Sequence, residues 1–333
     1  MVRDLTRCGA FTSSLCVHPD GKVSPCCQFD YEHLIDISDI DWQDPYKSVK
    51  DGRGCSACDH EGDVYMDAFN RFEAHDTFAV RHLDVRNNNL CSLECAICCS
   101  YYSSKWAERL GLPKFVSTDF NVPLDEVEMI YFAGGEPLLN PSHWEVLDKI
   151  PYPEQVELQY NSNLTYVNNI EKYWPRFKAV NVRASLDAVG ELGEYLRLGM
   201  NWDKWQANLN IARQHATVII NPTISVLNIF HLAELNAFAK ENDLGLDYNI
   251  LTGPEYLCVN VLPLELKKQI SFMPNKKHLR ELLNEDRSFL FKDTINYILV
   301  HDRVKNTDIW KHLPFQKYAV ETMDILGPYG RLY

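Results

Sequence analysis

The chain has 333 residues, 46% hydrophobic and 12% aromatic, which is enough for one large domain with an appendage or for about two ordinary ones, and too apolar for general disorder. Its net charge of −13 repels phosphate backbones and sets nucleic acid aside as a substrate. Arg3, Asp4 and Arg7 break the first apolar stretches and no run of about 18 apolar residues follows, so no signal peptide or membrane span is expected and the chain reads as soluble and cytoplasmic.

Residues 1–79 hold Cys8, Cys16, Cys26, Cys27, Cys55 and Cys58, more than half of the eleven cysteines. Clustered cysteines in odd number, without a secretory signal, point to metal or redox chemistry rather than a disulfide framework. Cys8, Gly21 and Cys26 follow the pattern Cys, twelve residues, Gly, four residues, Cys, and Cys55 with Cys58 forms a CxxC. These four thiolates suffice to coordinate an iron–sulfur cluster fully; Cys16 competes with Cys8, and Cys27 with Cys26. A four-cysteine zinc ribbon is the alternative reading of the same residues.

Near residue 80 the composition changes to alternating strands and helices, which places a domain boundary there. Strands are expected at His82–Arg86, Val127–Phe132, Gln155–Tyr160, Ala179–Ala184, Thr217–Thr223 and Leu244–Ile250. Helices are expected around Ser104–Leu110, Ser142–Lys149, Val167–Trp174, Trp202–Gln214 and Ile229–Asn242, with Asn140 and Asn201 as entry caps. Six βα steps from 80 to 255 predict a partial parallel (β/α)6 barrel of TIM-like type, an α/β fold whose chemistry lies at the carboxyl ends of its strands. Residues 256–333 read as a helical C-terminal extension that packs through its aromatic residues. Cys258 falls just past the sixth strand, where it would serve as a hydrogen donor or as a small buried hydrophobe.

Cys91, Cys95 and Cys98 form CxxxCxxC directly after the first of these strands. Three thiolates from one loop leave one iron of a four-iron cluster without a protein ligand, whereas structural zinc calls for four ligands. The segment LDVRNNNLCSLECAICC closely resembles the cysteine loop of the radical S-adenosylmethionine (SAM) superfamily. That resemblance implies SAM bound at the open iron and cleaved reductively to a 5′-deoxyadenosyl radical that abstracts a substrate hydrogen. It also implies cofactor contacts at Gly134-Gly135-Glu136-Pro137, similar to the family's GGEP turn, and at Asn161, Asn163, Ser185, Asp187, Arg197, Val226 and Asn228.

The N-terminal quartet Cys8, Cys26, Cys55 and Cys58 resembles the twitch form of the SPASM auxiliary-cluster module, placed here before the barrel. The resemblance thus implies two [4Fe-4S] clusters, one SAM-binding and one auxiliary, with flavodoxin or ferredoxin as the reducing partner. The activity it implies is that of an oxidoreductase, chiefly the oxidative modification of a peptide or protein. A small polar metabolite or sugar is the rival substrate, and a non-catalytic iron–sulfur electron carrier is the rival class.

Overall fold

The computed structural model describes residues 8–49, 55, 72–115 and 121–318. Its strands are β1 (Ser14–Val17), β2 (Lys22–Ser24), β3 (Ile35–Asp36), β4 (His82–Val85), β5 (Glu94–Cys95), β6 (Met129–Phe132), β7 (Glu157–Ser162), β8 (Ala179–Ala184), β9 (Arg197–Leu198), β10 (Thr217–Ile220), β11 (Thr223–Ile224), β12 (Gly245–Leu246) and β13 (Asn249–Ile250). Nine of them form one sheet in the order β12-β10-β8-β7-β6-β4-β1-β2-β3. β1, β4, β6, β7 and β8 run parallel, while β2 and β3 are antiparallel additions at the edge. The fold is α/β with a largely parallel sheet, as the alternation of strands and helices predicts.

The described residues divide into two compact units. One comprises the described residues of Met1–Ser92, Cys98–Ala184 and Ala207–Val218; the other comprises those of Leu93–Ile97, Ser185–Gln206 and Ile219–Tyr333.

In the first unit, β4, β6, β7 and β8 lie within a few residues of their predicted positions, but the sheet begins earlier than expected. Ser14–Val17 pairs in parallel with His82–Val85, Ser14 opposite His82 and Val17 opposite Val85. β1 turns into β2 through Gly21, whose φ of +82° favours a residue without a side chain. This turn accounts for the glycine between Cys8 and Cys26.

Along β4, β6, β7 and β8, buried and half-buried residues alternate with the period of a pleated strand, whereas all four residues of β1 are buried. One face presents Leu83, Val85, Ile130, Phe132, Leu158, Tyr160, Val180 and Val182, all buried. Helix Pro141–Asp148 covers it: His143 lies edge-on to Phe132 and donates to or accepts from Tyr160 Oη at 2.7 Å. The Asn140 side chain caps that helix by accepting from Ser142 N, as expected. The opposite face carries Asp84, Tyr131, Gln159, Asn161 and Arg183, half-buried. A parallel sheet with two apolar coverings would read as continuous hydrophobic runs, so this alternation marks a polar working face.

The second unit receives β10 at its last two residues, where Ile219 pairs with Gly245 of β12. The strands predicted over Thr217–Thr223 and Leu244–Ile250 are each split in two, and β11 pairs with β13 beyond the break. Pro222 has no N–H to give the ladder, and the Asn221 side chain donates to the Asp247 carbonyl in the gap instead. A helix over Gly190–Leu196, not anticipated, contributes Leu192, Tyr195 and Leu196 to the core.

The C-terminal helices Lys277–Asn284 and Phe291–Lys305 bury Leu279, Leu283, Phe291, Ile295 and Ile298 in that same core, together with Ala96 of the cysteine loop. Among the described residues no helix is long and apolar enough to cross a membrane.

Candidate active site

The cysteine loop leaves β4 through three consecutive asparagines that shape it. Asn88 Oδ1 accepts from Leu90 N at 2.8 Å, Asn89 Nδ2 donates to the Ser100 carbonyl at 2.9 Å, and the Asn89 carbonyl accepts from Ser104 N at 2.6 Å. Ser104 Oγ accepts from Cys91 N at 3.1 Å, tying the first cysteine to the start of helix Ser104–Leu110. Sequence reasoning passed over these asparagines. The signal for them was present, since a run of residues that bond their own backbone marks a shaped loop.

The GGEP turn follows β6 and packs directly on this loop. Glu136 N donates to the Leu90 carbonyl at 2.7 Å, and a Cβ on Gly135 would stand 2.1 Å from that oxygen. Gly134 has a φ of +100°. Glu136 is 1% exposed, and its carboxylate points into the protein: Oε1 accepts from Leu138 N and Ser162 Oγ, and Oε2 accepts from Asn163 N at 2.7 Å. The acidic residue thereby holds the end of β7 in place.

Asn163 is aimed at the first cysteine. Its Oδ1 accepts from both Thr165 N and Thr165 Oγ1, which leaves Nδ2 to donate to Cys91 Sγ at 3.9 Å. Asn161 lies on the polar face of β7, and its buried Oδ1 has no hydrogen-bond partner.

In the second unit, β5 pairs with β9, placing Cys95 opposite Arg197, and Ala96 N donates to the Leu196 carbonyl at 2.7 Å. Arg197 is 9% exposed. Its Nη2 meets Asp187 Oδ2 at 2.9 Å, and its Nη1 donates to Cys95 Sγ at 3.8 Å. Desolvation raises the Cys95 thiol pKa, the Arg197 guanidinium acts against that rise, and the smaller effects of Asp187 and Lys305 oppose each other.

Asp187 is itself built in, since its Oδ1 accepts from Thr223 N at 2.9 Å and its carbonyl accepts from Asn228 Nδ2 at 3.0 Å. Asn228 Oδ1 accepts from Ser225 N, and Val226 N donates to the Leu257 carbonyl. Ser185 follows β8, half-buried. Cys258 is buried and donates to the Pro254 carbonyl at 3.5 Å, with its pKa pushed up to about 11, chiefly by burial.

The site residues expected from sequence thus fall into two sets. The first unit brings together Cys91, Gly134, Gly135, Glu136, Pro137 and Asn163; the second brings together Cys95, Asp187, Arg197 and Asn228.

Of the N-terminal cysteines, Cys8 precedes helix Ala10–Ser13 and Cys26 opens the turn after β2. Cys26 and Cys27 line a cleft over the polar face with His82, Asp84 and Tyr131. Cys16 lies within β1, fully buried, between Ser24 and Asp84 of the neighbouring strands, and burial raises its thiol pKa well above the usual range. Cys55 is half-buried, and Cys58 lies outside the described residues.

Among the described residues no three His, Cys, Asp or Glu side chains converge as one metal ion requires. A cubane asks for something different, because each of its thiolates binds a different iron. The donor chemistry here fits a cluster: two sulfurs of the CxxxCxxC loop receive N–H groups from a neutral amide and from a guanidinium, the donors that stabilise cluster thiolates. The unpartnered Asn161 Oδ1 is an acceptor suited to a ribose hydroxyl of SAM.

No protein-family model matches the chain. An uncharacterized protein of Methanocaldococcus jannaschii is 24% identical over 220 residues, covering 62% of this chain and 71% of that protein. Among solved structures, anSMEcpe with bound AdoMet and Cp18Cys peptide has a TM-score of 0.42 at 15% identity, covering 66% of this chain and 65% of that one. SuiB of Streptococcus suis, bound to S-adenosylmethionine, has a TM-score of 0.39 at 15% identity, covering 68% of this chain and 48% of SuiB. TYW1 with a lysine-pyruvate adduct bound has a TM-score of 0.36 at 16% identity, covering 67% of this chain and 73% of TYW1. The chain therefore spans less than two thirds of the anSMEcpe and SuiB chains.

Proposed function

We propose that the chain is a radical SAM enzyme in which Cys91, Cys95 and Cys98 hold a [4Fe-4S] cluster with one iron open to SAM. The observation that carries this reading is the treatment of the loop's sulfurs. Cys91 receives the Asn163 amide and Cys95 the Arg197 guanidinium, and each donor is itself locked, the first by Thr165 and Glu136, the second by Asp187. Side chains so constrained are fixed before any ligand arrives, so the site gives up little entropy on loading.

Held there and reduced by one electron, the cluster and SAM would supply methionine and a 5′-deoxyadenosyl radical able to take a hydrogen atom from the substrate. The chain's residues have four tasks. Asn163 and Arg197 orient and stabilise thiolates. Glu136 fixes the turn that approaches the cysteine loop. Asn161 offers an acceptor to the ribose, and the Leu90 backbone sets the depth of the GGEP turn.

Cys8, Cys26, Cys55 and Cys58 are proposed to hold the auxiliary cluster, which, fully ligated and suited to electron transfer, would accept the electron of the substrate radical left by hydrogen abstraction, so that with loss of a proton the net reaction is a two-electron oxidation of the substrate. The substrate is proposed to be a peptide or protein; the net charge of −13 speaks against a polyphosphate. Flavodoxin or ferredoxin would reduce the chain in the cytoplasm.

The test is 5′-deoxyadenosine formation from SAM by the anaerobically reconstituted, reduced protein. The parent is expected to form it and a Cys91→Ala, Cys95→Ala, Cys98→Ala variant is not. No product from a preparation with its full complement of iron and sulfide would replace this reading with that of an electron carrier. Deuterium appearing in 5′-deoxyadenosine from a deuterated peptide fraction, and not from a deuterated small-molecule fraction, would assign the substrate class; the reverse would assign a metabolite.

A further inference from the structure

The carbonyls on either side of Cys95 are held from the far end of the chain. Lys305 Nζ donates to the Glu94 carbonyl at 2.5 Å, and Tyr297 Oη donates to the Ala96 carbonyl. Both donors sit on helix Phe291–Lys305, two turns apart and on one face.

The lysine is in the last turn of this helix and only 9% exposed. Its position is fixed by the way the helix ends. Asp302 accepts from Thr307 Oγ1 at 2.9 Å and from Ile309 N at 3.3 Å, folding the following segment back on the last turn, while Asn306 takes a φ of +52°. A buried ammonium is costly unless it is paired or hydrogen-bonded, and the bond that Lys305 gives to the Glu94 carbonyl sets its charge one residue from Cys95.

We propose that Lys305 is a positioning residue that, together with Arg197, fixes and charges the Cys95 corner of the cluster loop, so that the C-terminal helix tunes the cluster's reduction potential. This rests on the cluster proposed above. Reduction adds a negative charge to the cluster, and a fixed positive charge in a poorly solvated setting favours the reduced form. The C-terminal segment, which sequence alone presents as packing, thereby becomes part of the redox site.

The experiment is a potentiometric titration of the reconstituted cluster, followed by the EPR signal of its reduced form, with iron and sulfide counted in every preparation. Lys305→Met is expected to lower the midpoint by a tenfold change in the reduction equilibrium, 59 mV for a one-electron couple. Lys305→Gln, which keeps an N–H donor but loses the charge, is expected to do the same and stands in should the methionine variant not fold. Lys305→Arg and Tyr297→Phe keep the charge and are expected to hold the parent midpoint.

Neutral variants that take up a full cluster at the parent midpoint overturn the inference and leave the enzyme reading intact. Neutral variants that fail to take up a cluster accepted by Lys305→Arg support it, since charge is then required at loading. Failure of Lys305→Arg as well overturns it, because shape rather than charge would be holding the loop. A parent chain that binds no cluster overturns the enzyme reading and this inference together.

Discussion

Asp187 and Arg197 form an ion pair at 2.9 Å with side chains 2% and 11% exposed, and the guanidinium of the pair also reaches the sulfur of Cys95. A carboxylate so deeply buried needs its cation. Removing one partner of such a pair strands the other, at a typical cost of about 3–5 kcal/mol. Arg197→Met is therefore expected to lower the unfolding free energy by about 3 kcal/mol, and the Arg197→Met, Asp187→Asn double variant by less than the sum of the two single changes. Urea denaturation of the four proteins in the cycle checks this.

Glu136 accepts three hydrogen bonds from Leu138, Ser162 and Asn163 with 1% of its surface exposed. Glu136→Ala leaves these donors without an acceptor, and each stranded buried donor costs about 1–3 kcal/mol. The variant is expected to lose about 3 kcal/mol and, with Asn163 released, to show increased hydrogen exchange at residues 161–165. Unchanged exchange at those amides would remove the positioning role assigned to this carboxylate.

Gly135 and Gly111 make a contrasting pair. A Cβ at Gly135 would come within 2.1 Å of the Leu90 carbonyl oxygen, whereas one at Gly111 meets nothing within 4 Å and is disfavoured only by a φ of +65°. Gly111→Ala is expected to cost about 1 kcal/mol, the usual penalty for a left-handed residue with a side chain. Gly135→Ala must push the GGEP turn off the cysteine loop and is expected to cost several times as much, with reduced iron uptake on reconstitution. Thermal melts and iron content of the two variants compare them directly.

Burial holds His143 neutral, with its pKa lowered from 6.5 to about 3. In the unfolded chain this ring protonates below pH 6.5, so the unfolded state binds more protons and the stability from the neutral ring is present above 6.5. It is lost progressively as pH falls from 6.5 towards 3, by up to about 1.4 kcal/mol per pH unit. The Tm is expected to fall over that window, and less steeply in His143→Gln, which keeps a partner for Tyr160. Equal slopes for the two proteins would exclude His143 as the source.

Local sequence determined a good part of this protein. The period of apolar residues located β4, β6, β7 and β8, the side chain of Asn140 marked a helix start, and the spacing of Cys91, Cys95 and Cys98 singled out the loop proposed to hold the cluster, because propensity, capping and ligand spacing are set between near neighbours in the chain. β1 was hidden because four residues between cysteines and turn signals have no readable period; only pairing with β4 makes them a strand. Tertiary structure alone decided that Glu136 turns inward, that Arg197 faces Asp187 and Cys95, and that Lys305, 211 positions from Glu94, reaches the cysteine loop. A side chain's charge and length are written in the sequence, but its partner depends on which distant segment the fold brings within about 3 Å, the reach of a hydrogen bond.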